Sequence, residues 1–290
     1  MSVSMAYFGV VLIWSTTPLA IFWSSHGAGA VFGVTSRILI GAALAMVATV
    51  LLGHGMVWHR RALAAYVASG LGIFLSMLAT YWGAQYIPSG WISVLFGMAP
   101  LITALMARLW LEGEPLTLPR LFGMLMGLTG LAIIFGTSLT LQGGAVLGVA
   151  GVLFGVSAHS ASAVWVKRID AGVPALVITS GGLAVAAPLF LAAWWLTGGG
   201  WPAHLTARTL GAIGYLALFG SVFGFAMYYY VLRHVQATRV ALITLITPMA
   251  ALGLGHLLNG EPLTPQVITG SALILSGLAL FERIGLRAEA

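Results

Sequence analysis

Apolar runs of about twenty residues recur along the whole chain, and each is long enough to cross a lipid bilayer as a helix. Polar residues, glycines or prolines separate ten such segments, which we number 1 to 10 in chain order. They cover residues 5–23, 30–52, 62–83, 88–110, 119–137, 145–167, 174–196, 208–231, 236–258 and 264–282. The sequence therefore predicts an all-α polytopic membrane protein with ten transmembrane helices.

Charged side chains are too scarce to cover the surface of a soluble protein. The 12 basic and 6 acidic residues make up 6% of the chain, against roughly 25% in soluble domains. This scarcity excludes a soluble enzyme, a nucleic-acid-binding protein and a disordered chain. The chain has no cysteine for disulfide or thiolate chemistry, and no cofactor or metal is expected. The expected surroundings are the lipid bilayer, without nucleic acid, and the protein is expected to be a monomer.

Basic residues fall almost entirely on one face of the predicted bundle, which carries both termini and loops 2–3, 4–5, 6–7 and 8–9. The basic residues of that face are Arg60, Arg61, Arg108, Arg120, Lys167, Arg168, Arg233, Arg239, Arg283 and Arg287. The opposite face receives Arg208, and Arg37 lies within segment 2. By the positive-inside rule, both termini should be cytoplasmic, in a bacterial-type inner (plasma) membrane.

The second half of the chain repeats the first. The Gly-Glu-Pro-Leu-Thr sequence of residues 113–117 recurs at residues 260–264, so segments 3–5 correspond to segments 8–10. The predicted repeats cover residues 1–140 and 141–290 of one integral membrane domain. Because each repeat has five helices, the second enters the membrane in the opposite sense. Two inverted five-helix repeats are typical of secondary transporters, and a duplication without transport, as in some channels, is the alternative.

Several motifs, each weak alone, occur in a specific order and spacing. They are the Trp14-Ser15 pair, Arg37 followed by Gly41-Ala42-Ala43, the mid-segment Pro100 and Pro248, the repeated Gly-Glu-Pro-Leu-Thr turns and the glycine-rich segments 5 and 10. Through them, nearly the whole chain resembles the EamA-type, ten-helix branch of the drug/metabolite transporter superfamily. Within that branch it is most similar to the YddG-like amino-acid exporters. It departs from their pattern at Val156, which replaces the tryptophan expected opposite Trp14, and the nearest tryptophan is Trp165.

The resemblance implies a secondary transporter, not an enzyme, that exports small neutral or zwitterionic metabolites by alternating access without a cofactor. Amino acids, aromatic or otherwise neutral, are the first candidates for its small-molecule substrate. The alternatives are a multidrug, nucleotide-sugar or lipid-type transporter of the same superfamily. An intramembrane serine hydrolase is disfavoured, because Ser157 and His159 lie two positions apart on one helix and so point in different directions.

Two ionisable side chains are expected deep in the membrane, where such groups are functional candidates by default. Arg37 lies roughly 10 Å inside segment 2. It could bind a substrate carboxylate, or it could snorkel outward or bond carbonyls at a helix break. His159 lies near the middle of segment 6 and matches Thr17 in the repeat. Its imidazole could bind substrate or titrate, or it could be packed and bonded to a neighbouring carbonyl.

Pro100 and Pro248 lie at matching positions near the middle of segments 4 and 9. Proline removes a backbone hydrogen bond, so both helices should kink and free the carbonyls of Phe96 and Thr244. Broken backbone is tolerated in a membrane only beside protein or a wet cavity. We therefore expect the two prolines to mark hinges beside the substrate site, with a static bend as the alternative.

Trp14 lies near the centre of segment 1 and is followed by three hydroxyl residues, which predicts a cavity wall with an apolar face and polar anchors. The predicted substrate-binding residues are Trp14, Ser15, Thr17, Arg37, Tyr81, Met98, His159, Trp165, Thr244 and Thr247. An interfacial aromatic belt is the simpler interpretation of Tyr228 and its neighbours. The Gly220/Gly224 pair is assigned to close helix packing.

Acidic residues are expected only at helix ends, in loops and in the C-terminal tail. Glu114 and Glu261 lie in the two repeated turns, where a carboxylate near a helix N-terminus is favourable, and gating is the alternative role. A cavity without a carboxylate disfavours a carboxylate proton relay and cationic drugs. It favours a neutral or zwitterionic passenger.

Overall fold

The computed structural model describes residues 2–110, 118–138, 144–234 and 243–287, and within these ranges the chain is helical without strands. The α-helices are α1 (Val3–Ser25), α2 (Ala30–Leu51), α3 (Arg60–Gly83), α4 (Ser89–Phe96), α5 (Ala99–Trp110), α6 (Leu118–Ser138), α7 (Ala145–Ile169), α8 (Ala175–Leu196), α9 (Ala207–Tyr215), α10 (Gly224–His234), α11 (Ile243–Asn259) and α12 (Pro265–Arg287). A π-helix, Leu216–Phe223, joins α9 to α10. The all-α prediction is confirmed.

Seven stretches of the described residues are long and apolar enough to cross a membrane. They are α1, α2, α3, α4 with α5, α7, α8, and α9 with the π-helix and α10. Predicted segments 5, 9 and 10 correspond to α6, α11 and α12, for which a full crossing stays a prediction. The observed helices are those of a multi-pass membrane protein.

Predicted segment 4 consists of two helices instead of one kinked helix. The first, α4, ends at Phe96 and α5 begins at Ala99, so the break lies just before Pro100. Pro100 is therefore the second residue of α5, where its missing N–H needs no partner. Pro248, in contrast, lies inside the continuous α11. The two matching prolines thus have different local structures.

Predicted segment 8 contains a π-helix, which the sequence pattern does not predict. Such wide turns are rare and are frequently found at functional sites. This one packs against α2, where a Cβ added to Gly41 would lie 2.8 Å from the Cβ of Ser221. The small residues on both sides let the two backbones approach closely.

Glycine also permits close contact elsewhere in the bundle. A Cβ on Gly155 of α7 would lie 2.8 Å from the carbonyl oxygen of Ser76 in α3. In the α6–α12 pair, a Cβ on Gly270 would lie 2.6 Å from the carbonyl oxygen of Gly130. Gly127 of α6 faces the side chains of Leu101 in α5 and of Met98 in the preceding break. Residues of α6 and α12, such as Ile134 and Ile274, belong to the same buried core as the other helices.

Candidate functional site

The bundle contains a cavity between its helices, whose empty space, together with the solvent open to it, is about 630 Å³. Its walls come from α1, α2, α3, α4, α7, the π-helix, α10 and α11. The lining residues are Trp14, Thr17, Pro18, Ile21, Arg37, Met77, Thr80, Ile92, Ser93, Phe96, His159, Gly220, Phe225 and Thr247. No acidic residue is among these described lining residues.

Arg37 is the one arginine or lysine in this described lining, and only 1% of its surface is exposed. Its Nε donates to Ser221 Oγ at 3.1 Å, and its guanidinium carbon lies 6.0 Å from the centre of the Tyr81 ring. Among the described residues, its Nη1 has no hydrogen-bond partner. The side chain therefore does not snorkel to a membrane surface. It is a buried charge, oriented by Ser221, with a free donor.

Trp14, His159, Tyr228 and Phe96 form an aromatic cluster, and three of them line the cavity. The His159 ring centre lies 5.9 Å from that of Trp14, 5.2 Å from that of Tyr228 and 6.2 Å from that of Phe96. Trp14 and Tyr228 are 5.1 Å apart. Aromatic groups at these separations pack favourably and present flat apolar faces. The cluster thus supplies a wall suited to an apolar or planar ligand group.

Hydroxyl groups add polar positions to the lining. Thr17 Oγ1 donates to the Ile13 carbonyl at 2.7 Å, which leaves its acceptor capacity open. Thr80 Oγ1 is buried without a hydrogen-bond partner among the described residues. Ser93 and Thr247 also line the cavity. Because buried polar groups are normally paired, the Thr80 hydroxyl is a further candidate for ligand contact.

The structure brings five of the ten predicted binding residues together at the cavity: Trp14, Thr17, Arg37, His159 and Thr247. The side chain of a sixth, Thr244, lies outside the described residues. The other four do not line the cavity, for reasons specific to each position.

The Tyr81 ring lies below the guanidinium of Arg37 and does not line the cavity. Its hydroxyl accepts a hydrogen bond from Ser24 Oγ at 3.3 Å. Ser15 is buried and donates to the Val11 carbonyl of its own helix. Met98 packs towards Gly127 of α6.

Trp165 is 51% exposed and contacts Trp110 with ring centres 5.8 Å apart, on the outer side of the bundle. It therefore does not replace the tryptophan expected opposite Trp14. Tyr228, for which the sequence favours an interfacial belt, is buried beside Trp14 instead.

Sequence reasoning also missed two residues that shape the Arg37 environment. Gly220 lies where an added Cβ would be 3.0 Å from Arg37 Nη2, so its role is not only helix packing. Ser221 orients the guanidinium. No spacing in the sequence predicts the π-helix that presents these two residues to Arg37, so neither could be assigned to the site from the sequence.

The pair that suggested a serine hydrolase is not arranged for catalysis. Ser157 Oγ donates to the Leu153 carbonyl one turn earlier on the same helix, at 2.9 Å. His159 contacts the aromatic cluster instead. A nucleophile and its base must share a hydrogen bond, and this geometry does not provide one.

Comparison with known proteins identifies the family. Two stretches of the chain, residues 1–136 and 146–283, match the model of the EamA-like transporter family. An uncharacterized transporter of Archaeoglobus fulgidus is 26% identical over 241 residues, covering 81% of this chain and 82% of the relative. The uncharacterized inner membrane transporter YedA of Escherichia coli (strain K12) is 27% identical over 266 residues, covering 89% and 83%.

A third relative, a probable terminal-alkyne amino-acid exporter of Streptantibioticus cattleyicolor, is 27% identical over 230 residues, covering 77% of this chain and 74% of the relative. A solved crystal structure aligns with all of this chain and 99% of its own, with a TM-score of 0.70 and 20% identity. At that identity, the likeness concerns the fold alone.

Proposed function

Because the chain belongs to the EamA-like transporter family, it is a membrane transporter, and we propose that it exports small neutral or zwitterionic metabolites, above all amino acids. One observation carries the choice of substrate: the guanidinium of Arg37 is buried at the cavity with a free donor and no acidic residue in the described lining. The amino-acid exporter among its relatives supports the same substrate class. A YddG-like preference for particular amino acids is part of this proposal.

The buried charge favours a carboxylate ligand for an energetic reason. A cation removed from water is unfavourable by several kcal/mol unless an anion or hydrogen-bond acceptors compensate for it. In the described structure, Arg37 receives compensation from Ser221 and from the face of the Tyr81 ring, while Nη1 is left over. A substrate carboxylate would supply the missing acceptor and the opposite charge.

The remainder of an amino acid would contact the aromatic cluster. Gly220 lies against Arg37. A Cβ added to Gly224 would lie 3.7 Å from Trp14 Nε1. These glycines are about one helical turn apart, so the guanidinium and the indole flank the same stretch of cavity. A ligand with its carboxylate on Arg37 can therefore place an apolar side chain against Trp14 and His159. Without an acidic residue in the described lining, a cationic drug would find no counter-charge.

Alternating access would use the two halves of the chain as inverted five-helix repeats, residues 1–140 and 141–290. The match of the family model over two separate stretches supports this division. In this mechanism the hinges are the break between α4 and α5 and the part of α11 around Pro248. Cavity residues lie next to both, and backbone hydrogen bonding is weakened at both. The bias in basic residues favours cytoplasmic termini, and the inner-membrane relative supports the same membrane.

Uptake by proteoliposomes tests the proposal. The purified protein should take up labelled neutral amino acids with saturation, and the rate should not depend on a pH gradient because no carboxylate is among the described lining residues. Parallel assays use a nucleotide sugar and a labelled lipid. Movement of either of these, without uptake of any amino acid, would overturn the substrate assignment.

A matched pair of arginine variants connects the activity to the cavity. Arg37→Gln should lower uptake on the order of 100-fold, because a buried charge pair loses one partner. Arg61→Gln removes an exposed arginine and should leave uptake unchanged. Both variants are compared at equal amounts of monodisperse protein. Equal uptake by the two variants would remove Arg37 from the site.

A further inference from the structure

A buried carboxylate outside the cavity joins helices of the two halves of the chain. Glu261 lies in the turn between α11 and α12 and is 9% exposed. Its Oε1 accepts from the backbone N–H of Ser89 and its Oε2 from that of Gly90, each at 3.1 Å. Glu261 therefore caps the first turn of α4, not the helix that follows it in sequence.

Two further side chains extend this contact to α1. Asn259 Nδ2 donates to Glu261 Oε1 at 2.9 Å, and Trp23 Nε1 donates to Asn259 Oδ1 at 3.3 Å. We name Trp23, Ser89, Gly90, Asn259 and Glu261 the clasp. It gathers the end of α1, the start of α4 and the end of α11 around one carboxylate.

The surroundings of Glu261 leave room for its side chain and supply hydrogen-bond donors to it. A Cβ on Gly255 would lie 2.5 Å from Glu261 Oε2, so glycine leaves the space that the carboxylate occupies. The two backbone donors belong to a helix N-terminus, whose dipole favours an anion. His256 adds a contact between its Nδ1 and the Glu261 carbonyl oxygen, at 2.9 Å.

The clasp lies immediately beyond the cavity. Ile21 of α1 and Ile92 of α4 line the cavity, and Trp23 and Ser89 follow them towards the helix ends within about one turn. Helix α4 also contributes Ser93 and Phe96 to the lining, and it ends at the break after Phe96. That end is separated from α5 by the break, and the capped end is one of the contacts that hold α4 and its cavity residues in place.

We propose that Glu261 is a positioning residue whose carboxylate, by capping α4, closes this end of the cavity, and that release of the clasp opens it. The proposal gives the transport cycle proposed above a specific closing contact between the two halves. The role given to Glu261 rests on the proposed transport function. The test does not, because access to the cavity can be measured without any substrate.

The absence of cysteine from the chain makes a direct test simple. Ser93→Cys places one thiol in the cavity wall, and its reaction with a membrane-impermeant maleimide is timed in spheroplasts and in inside-out vesicles. Adding Glu261→Gln, which keeps the shape but removes the charge, should raise the labelling rate about tenfold, since charged hydrogen bonds to Ser89 and Gly90 are lost. The rise should occur in one of the two preparations only.

Three controls make the outcome decisive. Glu114→Gln is the same substitution in the other copy of the repeated turn, which lies outside the described residues, and it should not raise labelling in that preparation. Gln85→Ala removes an exposed polar side chain and should have no effect. Ser180→Cys, buried against α2, should stay unlabelled with Glu261→Gln. An unchanged labelling rate for Ser93→Cys, a rise in both preparations, or labelling of Ser180→Cys would overturn the proposal.

Discussion

Glycines at the α6–α12 interface and at the cavity contact different kinds of atom. In α12, an added Cβ on Gly270 meets the backbone oxygen of Gly130 at 2.6 Å, and one on Gly277 meets that of Gly123 at the same distance. At the cavity, a Cβ on Gly220 meets the end of the Arg37 side chain at 3.0 Å. Backbone cannot move aside without moving a helix, whereas a guanidinium can. The interface should therefore govern stability, and the cavity should govern binding.

The largest expected effect is on stability at the interface. Gly270→Ala should destabilise the protein by about 1–3 kcal/mol, because the new methyl group overpacks two backbones. Thermal unfolding of the purified protein measures this loss. Gly211→Ala is the matched control, since an added Cβ there meets no described atom within 4 Å. Uptake per folded molecule should be unchanged in both variants, and a selective loss of uptake in Gly270→Ala would break the distinction.

The next effect concerns the aromatic wall. Trp14→Ala should raise the half-saturation concentration for uptake about tenfold, because the ligand loses a large flat contact surface. Trp165→Ala removes the same side chain from the outer side of the bundle, where it is half exposed, and should leave the kinetics unchanged. If both variants behave alike, this cavity is not the binding site.

The smallest effect is expected at Gly220, the glycine that lies against the proposed binding residue Arg37. Gly220→Ala requires the Arg37 guanidinium to shift by a few tenths of an ångström, so the half-saturation concentration should rise roughly threefold. Its unfolding temperature should stay within about a degree of that of Gly211→Ala, because a flexible side chain absorbs the new methyl group. Loss of stability with unchanged affinity would assign Gly220 to packing after all.

The helices could be predicted from the sequence because their signal is local. The sequence predicts segment 2 over residues 30–52, and the structure has Ala30–Leu51. It predicts segment 6 over 145–167, and the structure has Ala145–Ile169. An apolar run bounded by glycine or charge carries this information in itself. The break before Pro100 was expected as a kink for the same reason.

The site could be predicted only in part because it depends on contacts between distant residues. Snorkelling and burial are both compatible with an arginine two turns inside a helix, and Ser221, 184 positions later, decides between them. Similarly, Glu261 is followed by Pro262 in the turn before α12, yet it caps a helix that lies 171 and 172 positions earlier in the chain. Periodicity identifies a buried face, but it does not say which side chain from another helix faces it.

The central claim is that Arg37 binds the carboxylate of the substrate. The most direct measurement compares the affinity of the best-transported amino acid with that of its carboxamide, which has the same size but no carboxylate charge, in the wild type and in Arg37→Gln. The wild type should prefer the amino acid by about tenfold or more, and Arg37→Gln should bind both equally. The same preference in both proteins would contradict the claim.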